Sequence, residues 1–456
     1  MQHALQTAVH TATQAAKQAT DNAIDTVWRL EAAKVIGAVA RLTHDVGVAE
    51  DLAADALVAA LEHWRQDGVP ANPGAWLTTT AKRRALDWLR HRSMAAAEHE
   101  ALARDDEARQ MIFAPSVVDT LLQAEADPVG DDLLRLVFTA CHPVLSRDAQ
   151  VALTLKLVGG LSTDEIARAF LIPSATVAQR IVRAKRCLSE ARVPFDLPPR
   201  EQLGDRLAGV LEVIYLIFNE GYAATGGDDW MRPALCDEAL RLARMLSALA
   251  PHEPEVLGLQ ALLEIQASRT PARTDPQGRP VLLMAQDRQR WDRLLIRRGL
   301  AALAQADSLC SAAQQPQQPQ QPQLPPGPYA LQAAIAACHA RALRAEETDW
   351  LRICALYDAL MLQQPSPVVA LNRAVAVGQA HGPAAALPLV QALVAQPQLA
   401  QYHLLPSVLA DLLARLGRHD EARVQWQRAA ELTRNARERE LLLERAHNTP
   451  PEGGKS

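Results

Sequence analysis

Leu161-Ser162-Thr163-Asp164-Glu165-Ile166-Ala167-Arg168-Ala169-Phe170-Leu171-Ile172-Pro173-Ser174-Ala175-Thr176-Val177-Ala178-Gln179-Arg180-Ile181-Val182-Arg183-Ala184-Lys185-Arg186 is the most organised stretch of the chain. Ser162 followed three residues later by Glu165 is a capping box. Each side chain can take up a backbone N–H of the other residue, so a helix is expected to begin there. Small Ala167 at mid-helix leaves room for a partner helix. Pro173 stops the first helix, and Ser174 can cap the next. Two short helices joined by a tight turn make a helix-turn-helix. The second helix carries Arg180, Arg183, Lys185, Arg186 and Arg192 against one acid, Glu190. Thr176 and Gln179 lie near its start, where a recognition helix meets base edges. Guanidinium groups pair with phosphates or with the two acceptors of guanine. A helical hairpin with a charged solvent face is the plainer alternative. Cap, turn chemistry and one-sided charge together favour DNA binding.

The rest of the chain frames this element. Its 456 residues leave room for roughly two to four domains. With 49% hydrophobic and 22% charged residues the composition is that of a folded protein. Aromatics are only 4% and Ala and Leu dominate, which favours an all-α fold over β-sandwiches. The net charge of −5 means that any nucleic-acid binding must come from local patches. No run of about 18 uncharged apolar residues occurs, and the first twenty residues lack the apolar core of a secretory signal. The six cysteines are spread out, with no CxxC pair and no histidine at zinc spacing. Neither a disulfide framework nor a bound metal is expected, and a reducing cytoplasmic location follows. HExxH, GxxxxGK[ST] and GxSxG are all absent, so no catalytic activity and no cofactor are expected.

The organisation along the chain follows from composition and periodicity. Residues 1–23 are a polar, small-residue arm expected to be disordered. Helical periodicity runs through 24–93, interrupted by the Pro- and Gly-containing turn at 67–74. Residues 94–130 are acidic: from Glu98 to Asp132 ten acids face only Arg104 and Arg109, the pattern of a solvated linker. Residues 131–195 hold the helix-turn-helix and end at Pro194, Pro198 and Pro199. Residues 196–310 read as further helices. Residues 311–328 form a Gln/Pro linker, 329–447 return to Ala/Leu-rich helices, and 448–456 are a tail. In that last helical block Gly417 suits a tight turn, Ala422 and Ala429 suit close packing and Trp426 fills the gap between them, a helix-pair repeat pattern.

A second basic element lies at residues 75–92. Trp76 and Trp88 are interleaved with Lys82, Arg83, Arg84, Arg90 and Arg92. Rings stack on unpaired bases while cations follow phosphates, which suits single-stranded nucleic acid. Both tryptophans would serve equally well as core.

The order of elements resembles a group IV, extracytoplasmic-function member of the sigma-70 family of bacterial RNA polymerase initiation factors. Ala49-Glu50-Asp51-Leu52-Ala53-Ala54-Asp55-Ala56-Leu57 is similar to region 2.2 of that family, which docks on the β′ clamp helices. The resemblance implies that Glu50, Asp51 and Asp55 bind core RNA polymerase. Residues 73–90 resemble regions 2.3 and 2.4, which implies −10 contacts for Trp76, Lys82, Arg83, Arg84, Trp88 and Arg90. Residues 161–187 resemble region 4.2, which implies −35 contacts for Thr176, Gln179, Arg180, Arg183, Lys185 and Arg186, and a region 4 seated at the β flap. Ile214-Tyr215-Leu216-Ile217-Phe218-Asn219-Glu220-Gly221-Tyr222, Asp287-Arg288-Gln289-Arg290-Trp291-Asp292 and 365–377 are similar to the subgroup with a tetratricopeptide-like C-terminal extension. Two departures stand out: Lys82-Arg83-Arg84 where relatives often have Ala-Arg-Asn, and Asp55 where they often have Gln.

The expected protein therefore has two small sigma domains and a helical extension. It directs core RNA polymerase to −35/−10 promoter DNA and has no membrane partner, while the extension regulates through a protein or ligand. Asn219, Glu220 and Tyr222 are the candidate extension site, with interhelical hydrogen bonding as the preferred reading of those three. The competing class is a stand-alone helix-turn-helix regulator with a tetratricopeptide-like sensor for ligand or peptide.

Overall fold

The computed structural model describes residues 2–101, 129–170, 172–224, 227–312 and 326–449. Eighteen α-helices and no strand occur among these residues. The central acidic linker (102–128), the core of the Gln/Pro tract (313–325) and the tail from residue 450 lie outside them. The chain divides into two compact units, Met1–Val213 and Ile214–Ser456.

The first unit opens with α1 (Gln2–Thr43), α2 (Val46–Asp67) and α3 (Pro73–Ala101), each packed on the other two. Small side chains at three- and four-residue steps make this possible. Ala49, Ala53, Ala56 and Ala60 are all buried along α2, and Ala81 and Ala85 along α3. Asp45 caps α2, accepting hydrogen bonds from Gly47 N at 2.8 Å and Val48 N at 3.1 Å. Two expectations change here. The arm expected to be disordered is helical from Gln2, consistent with an Ala- and Gln-rich stretch that contains neither Gly nor Pro. Helix α3 also runs on through Ala101, into the first residues assigned to the linker.

Four helices complete this unit: α4 (Val129–Ala140), α5 (Arg147–Leu157), α6 (Thr163–Phe170) and α7 (Ser174–Glu190). They pack on each other, and α4 also packs along α1. The next helix, α8 (Arg200–Tyr222), crosses the division between the units. Its first half belongs with α4 and α5: Arg206 donates to the Phe138 carbonyl at 2.8 Å, and Arg147 pairs with Glu212. The boundary near residue 196, placed on its prolines, thus separates a helix from the elements it braces.

The second unit continues with α9 (Pro233–Leu249), α10 (Pro254–Ala267), α11 (Arg293–Ala312), α12 (Pro328–Arg341), α13 (Trp350–Gln363), α14 (Pro367–Ala380), α15 (Pro383–Leu393), α16 (Leu404–Arg415), α17 (His419–Leu432) and α18 (Ala436–Asn448). From α12 onward each helix packs on the next in sequence. The cores follow the same order. Ile353 and Leu360 meet Leu331 and Ile335; Leu371 and Val390 meet Leu405 and Leu412; Trp426 and Ala429 meet Leu442 and Ala446. This is the logic of a helical repeat, in which no pair buries its face alone. Gly417 turns the chain between α16 and α17 with φ 79°, a left-handed conformation that a side chain would strain.

Candidate nucleic-acid and polymerase interface

The helix-turn-helix forms as its residues dictate. Ser162 N donates to Glu165 Oε2 at 2.8 Å, and Glu165 N donates to Ser162 Oγ at 3.2 Å, closing the capping box. On α7 the buried residues are Val177, Ile181, Ala184 and Leu188, one stripe at three- and four-residue steps. Burial of that stripe aims the opposite face outward. Thr176, Gln179, Arg183 and Arg186 are all exposed. Arg180 pairs with Asp148 of α5 at 3.0 Å and Arg186 with Glu190 at 2.6 Å. Arg183 has no acidic partner among the described residues.

Lys185 behaves differently. Its ammonium group pairs with Glu50 and lies 3.2 Å from Asp51, both on α2. Glu50 also meets Lys156 of α5 at 3.4 Å. Burial opposes both charges, but it is outweighed. Lys185 and Lys156 hold the Glu50 carboxyl below its ordinary pKa, and Glu50 and Asp51 hold Lys185 above its own. The structure thus brings together residues assigned to two different partners, Glu50 and Asp51 to polymerase and Lys185 to DNA. Lys156 was missed by the sequence reading, because nothing local links a lysine on α5 to an acid more than a hundred positions earlier.

On α3 the seven-residue steps of Trp76, Arg83 and Arg90 put all three on one face. Arg83 and Arg90 are exposed, and Arg90 pairs with Asp87 at 3.1 Å. Trp76 is half-buried, edge-on to the buried Trp64 at 5.3 Å between ring centres. Trp88 lies on a different face, under the Arg92 guanidinium at 5.1 Å. Lys82 is half-buried, and Arg84 meets Asp55 at 3.4 Å in an exposed pair of little energetic weight.

In the extension, Glu220 pairs with Arg232. Tyr222 stacks on Phe218 and lies under Arg273, whose guanidinium is 3.4 Å from the ring centre. Asn219 lies beside the Tyr215 hydroxyl, which donates to Gln332 Oε1 at 3.3 Å. All three are engaged with neighbouring protein groups, and none lines the apolar groove of about 470 Å³ among Trp230, Met284, Trp350, Leu404 and Trp426. The 287–292 signature is structural too. Arg288 donates to the carbonyls of His339 and Ala342, both at 2.9 Å, and so ties down the end of α12. Asp292 caps α11, and Trp291 is buried.

No helix among the described residues is long and apolar enough to cross a membrane. Among the same residues no group of His, Cys, Asp and Glu is placed to hold a metal ion.

An all-α chain that presents a capped helix-turn-helix with outward cations is built to read nucleic acid. Residues 28–94 match Sigma-70 region 2, residues 135–188 match Sigma-70 region 4, and residues 206–307 match a family of unknown function (DUF6596). The "ECF RNA polymerase sigma factor SigK" of Mycobacterium ulcerans (strain Agy99) is 30% identical over 161 residues, which is 34% of this chain and 78% of that one. The "RNA polymerase sigma-H factor" of Pseudomonas aeruginosa PAO1 is 28% identical over 165 residues, 36% of this chain and 82% of its own. The "Uncharacterized protein R00370" of Rhizobium meliloti (strain 1021) is 42% identical over 406 residues, 89% of this chain and 90% of its own. The chain belongs to the extracytoplasmic-function group of the sigma-70 family, with a helical C-terminal extension, and its role is that of a sigma factor in transcription initiation.

Proposed function

We propose that the chain binds core RNA polymerase and directs it to −35/−10 promoters, that it performs no chemistry of its own, and that its extension regulates this activity. The carrying observation is the outward face of α7. Thr176, Gln179 and Arg183 are exposed beside a buried apolar stripe, and Arg183 has no acidic partner among the described residues. That is the arrangement a major groove requires of a recognition helix. On α3, Trp76, Arg83 and Arg90 share the face that meets the −10 element. Unpaired bases stack there for about 1–3 kcal/mol each. Glu50, Asp51 and Asp55 on α2 face the β′ clamp helices, and region 4 sits at the β flap. The acidic chain between α3 and α4 follows polymerase surfaces that otherwise hold nucleic acid, as a mimic of its charge.

In vitro transcription tests the reading. Core polymerase with the full chain initiates from a cognate promoter, and Arg180→Glu/Arg183→Glu removes that initiation. A gel shift run in parallel discriminates the competing class. Tight, specific promoter binding without core polymerase would establish a stand-alone regulator instead. Truncation after Tyr222, which keeps all of α8, tests the extension. Equal activity of the truncated and full chains would sink direct regulation.

A further inference from the structure

The apolar groove of the extension has walls from two parts of the second unit. One wall is the loop at 282–285, inside the stretch that matches the family of unknown function. The facing walls are α13, α14, α16, α17 and α18 of the repeat. Both sides are held by the fold itself. Val281 N donates to the Arg273 carbonyl at 2.8 Å, and the Gln286 side-chain amide donates to the Val281 carbonyl at 2.9 Å, which pins the loop. Opposite it, Leu412, Trp426 and Leu442 are buried in the helical cores. The cavity of about 470 Å³ falls within the roughly 300–1,000 Å³ typical of preformed small-molecule sites. Leu282, Met284 and Leu404 line it and remain 39%, 42% and 37% exposed, so apolar surface is left to water around this one cavity.

Its charged groups are unequally matched. Arg415 and Arg445 approach the two oxygens of one carboxylate, Asp411, at 3.7 and 3.9 Å, both too long for a hydrogen bond. Glu438, the other acid of the lining, is engaged by His403 at 3.0 Å and by the Thr433 hydroxyl at 2.5 Å. Two guanidinium groups therefore share one loosely held acid beside an apolar cavity. Arg445 is also steadied over the Trp426 ring, 5.0 Å from its centre.

We propose that this groove binds a small organic monocarboxylate. The apolar body of the ligand lies against Trp350, Trp426 and Leu404, and its carboxylate accepts hydrogen bonds from Arg415 and Arg445. Such charge-assisted bonds complete the pairing that Asp411 leaves unfinished. The site goes beyond the sigma reading, which uses none of these residues.

The test is binding to the full-length chain, with neither polymerase nor promoter present. Anilinonaphthalene sulfonate, an aromatic anion that fluoresces in apolar surroundings, is the probe, and decanoate and decanol are the competitors. Decanoate is expected to displace the probe at least about tenfold more effectively than decanol, the scale of one hydrogen bond to a charged group. A merely apolar surface would favour decanol, and that result would overturn the proposal. Arg445→Gln is expected to weaken decanoate binding by at least about tenfold. Leu404→Glu sets a repelling acid in the lining, at the first turn of α16 where helices accept acids, and is expected to do the same. It carries the test should Arg445→Gln fail to fold. Leu362→Glu, at a position 87% exposed and outside the lining, is expected to change nothing. Unaltered decanoate binding by Leu404→Glu would place the ligand elsewhere and overturn the proposal. So would a wild-type dimer that Leu404→Glu dissociates, since a second copy would then be the occupant. Each of these failures leaves the sigma reading intact, and loss of polymerase binding would leave the groove assignment intact.

Discussion

Arg183 and Lys185 stand two positions apart on one helix in opposite environments. Arg183 is exposed with no acid among the described residues beside it, whereas Lys185 keeps only 16% of its side-chain surface exposed in a carboxylate pair. Arg183→Ala is expected to leave stability within about 0.5 kcal/mol of wild type. It is also expected to lower promoter-directed transcription about 5- to 150-fold, the equivalent of roughly 1–3 kcal/mol of base discrimination. Lys185→Ala leaves Glu50 with Lys156 alone and is expected to destabilise the first unit by roughly 1–3 kcal/mol. Urea titrations of the two variants read this contrast, and equal stabilities would refute it. His339 gives a pH prediction. Burial, then Arg269 and Arg288, hold its pKa down at about 4, with its ring edge-on to Trp350. The neutral form is the folded form, so stability is full above the ordinary histidine pKa of about 6.5 and declines as pH falls toward 4. His339→Leu should flatten that part of the melting-temperature curve of the extension. An unchanged slope would show that His339 is not the titrating group.

At the scale of elements, the repeat helices stabilise one another only as neighbours. Trp426 is 5% exposed and fills the space between α16, α17 and α18 with Ala429 and Ala446. Trp426→Ala is expected to cost about 3–5 kcal/mol through lost burial and the cavity left behind. Hydrogen exchange should then rise first in α16–α18, while α10–α12 stay protected, because coupling in a stacked array runs through adjacent repeats. Uniform exchange across the extension would contradict this locality. These elements were readable in the sequence because their signals are local. The Ser162–Glu165 box and the tight turn at Gly417 each depend on residues within a few positions of one another. Helix ends were harder. Helices α1 and α3 both outran the compositional boundaries, because Ala-rich chain mixed with Gln or Glu extends a helix as readily as it forms a solvated segment.

For the whole molecule, the net charge of −5 sets the terms on which it meets DNA. The free chain is expected to bind duplex DNA weakly, and its complex with core polymerase strongly. Binding of that complex should weaken steeply as salt rises, since phosphate neutralisation releases counterions. A fluorescence-anisotropy series on promoter DNA at several salt concentrations reads this, and salt-independent binding would remove the proposed role of the α3 and α7 cations. The sequence by itself determined the helices, the capped helix-turn-helix and the family resemblance, because periodicity, caps and turns are short-range properties of neighbouring residues. Only the tertiary structure decided what those residues do while no partner is bound: that Glu50 and Asp51 meet Lys185, and that Arg288 holds the end of α12. Charge pairing across more than a hundred residues depends on which helix faces pack together, and that is fixed by burial of the whole chain rather than by any segment of it.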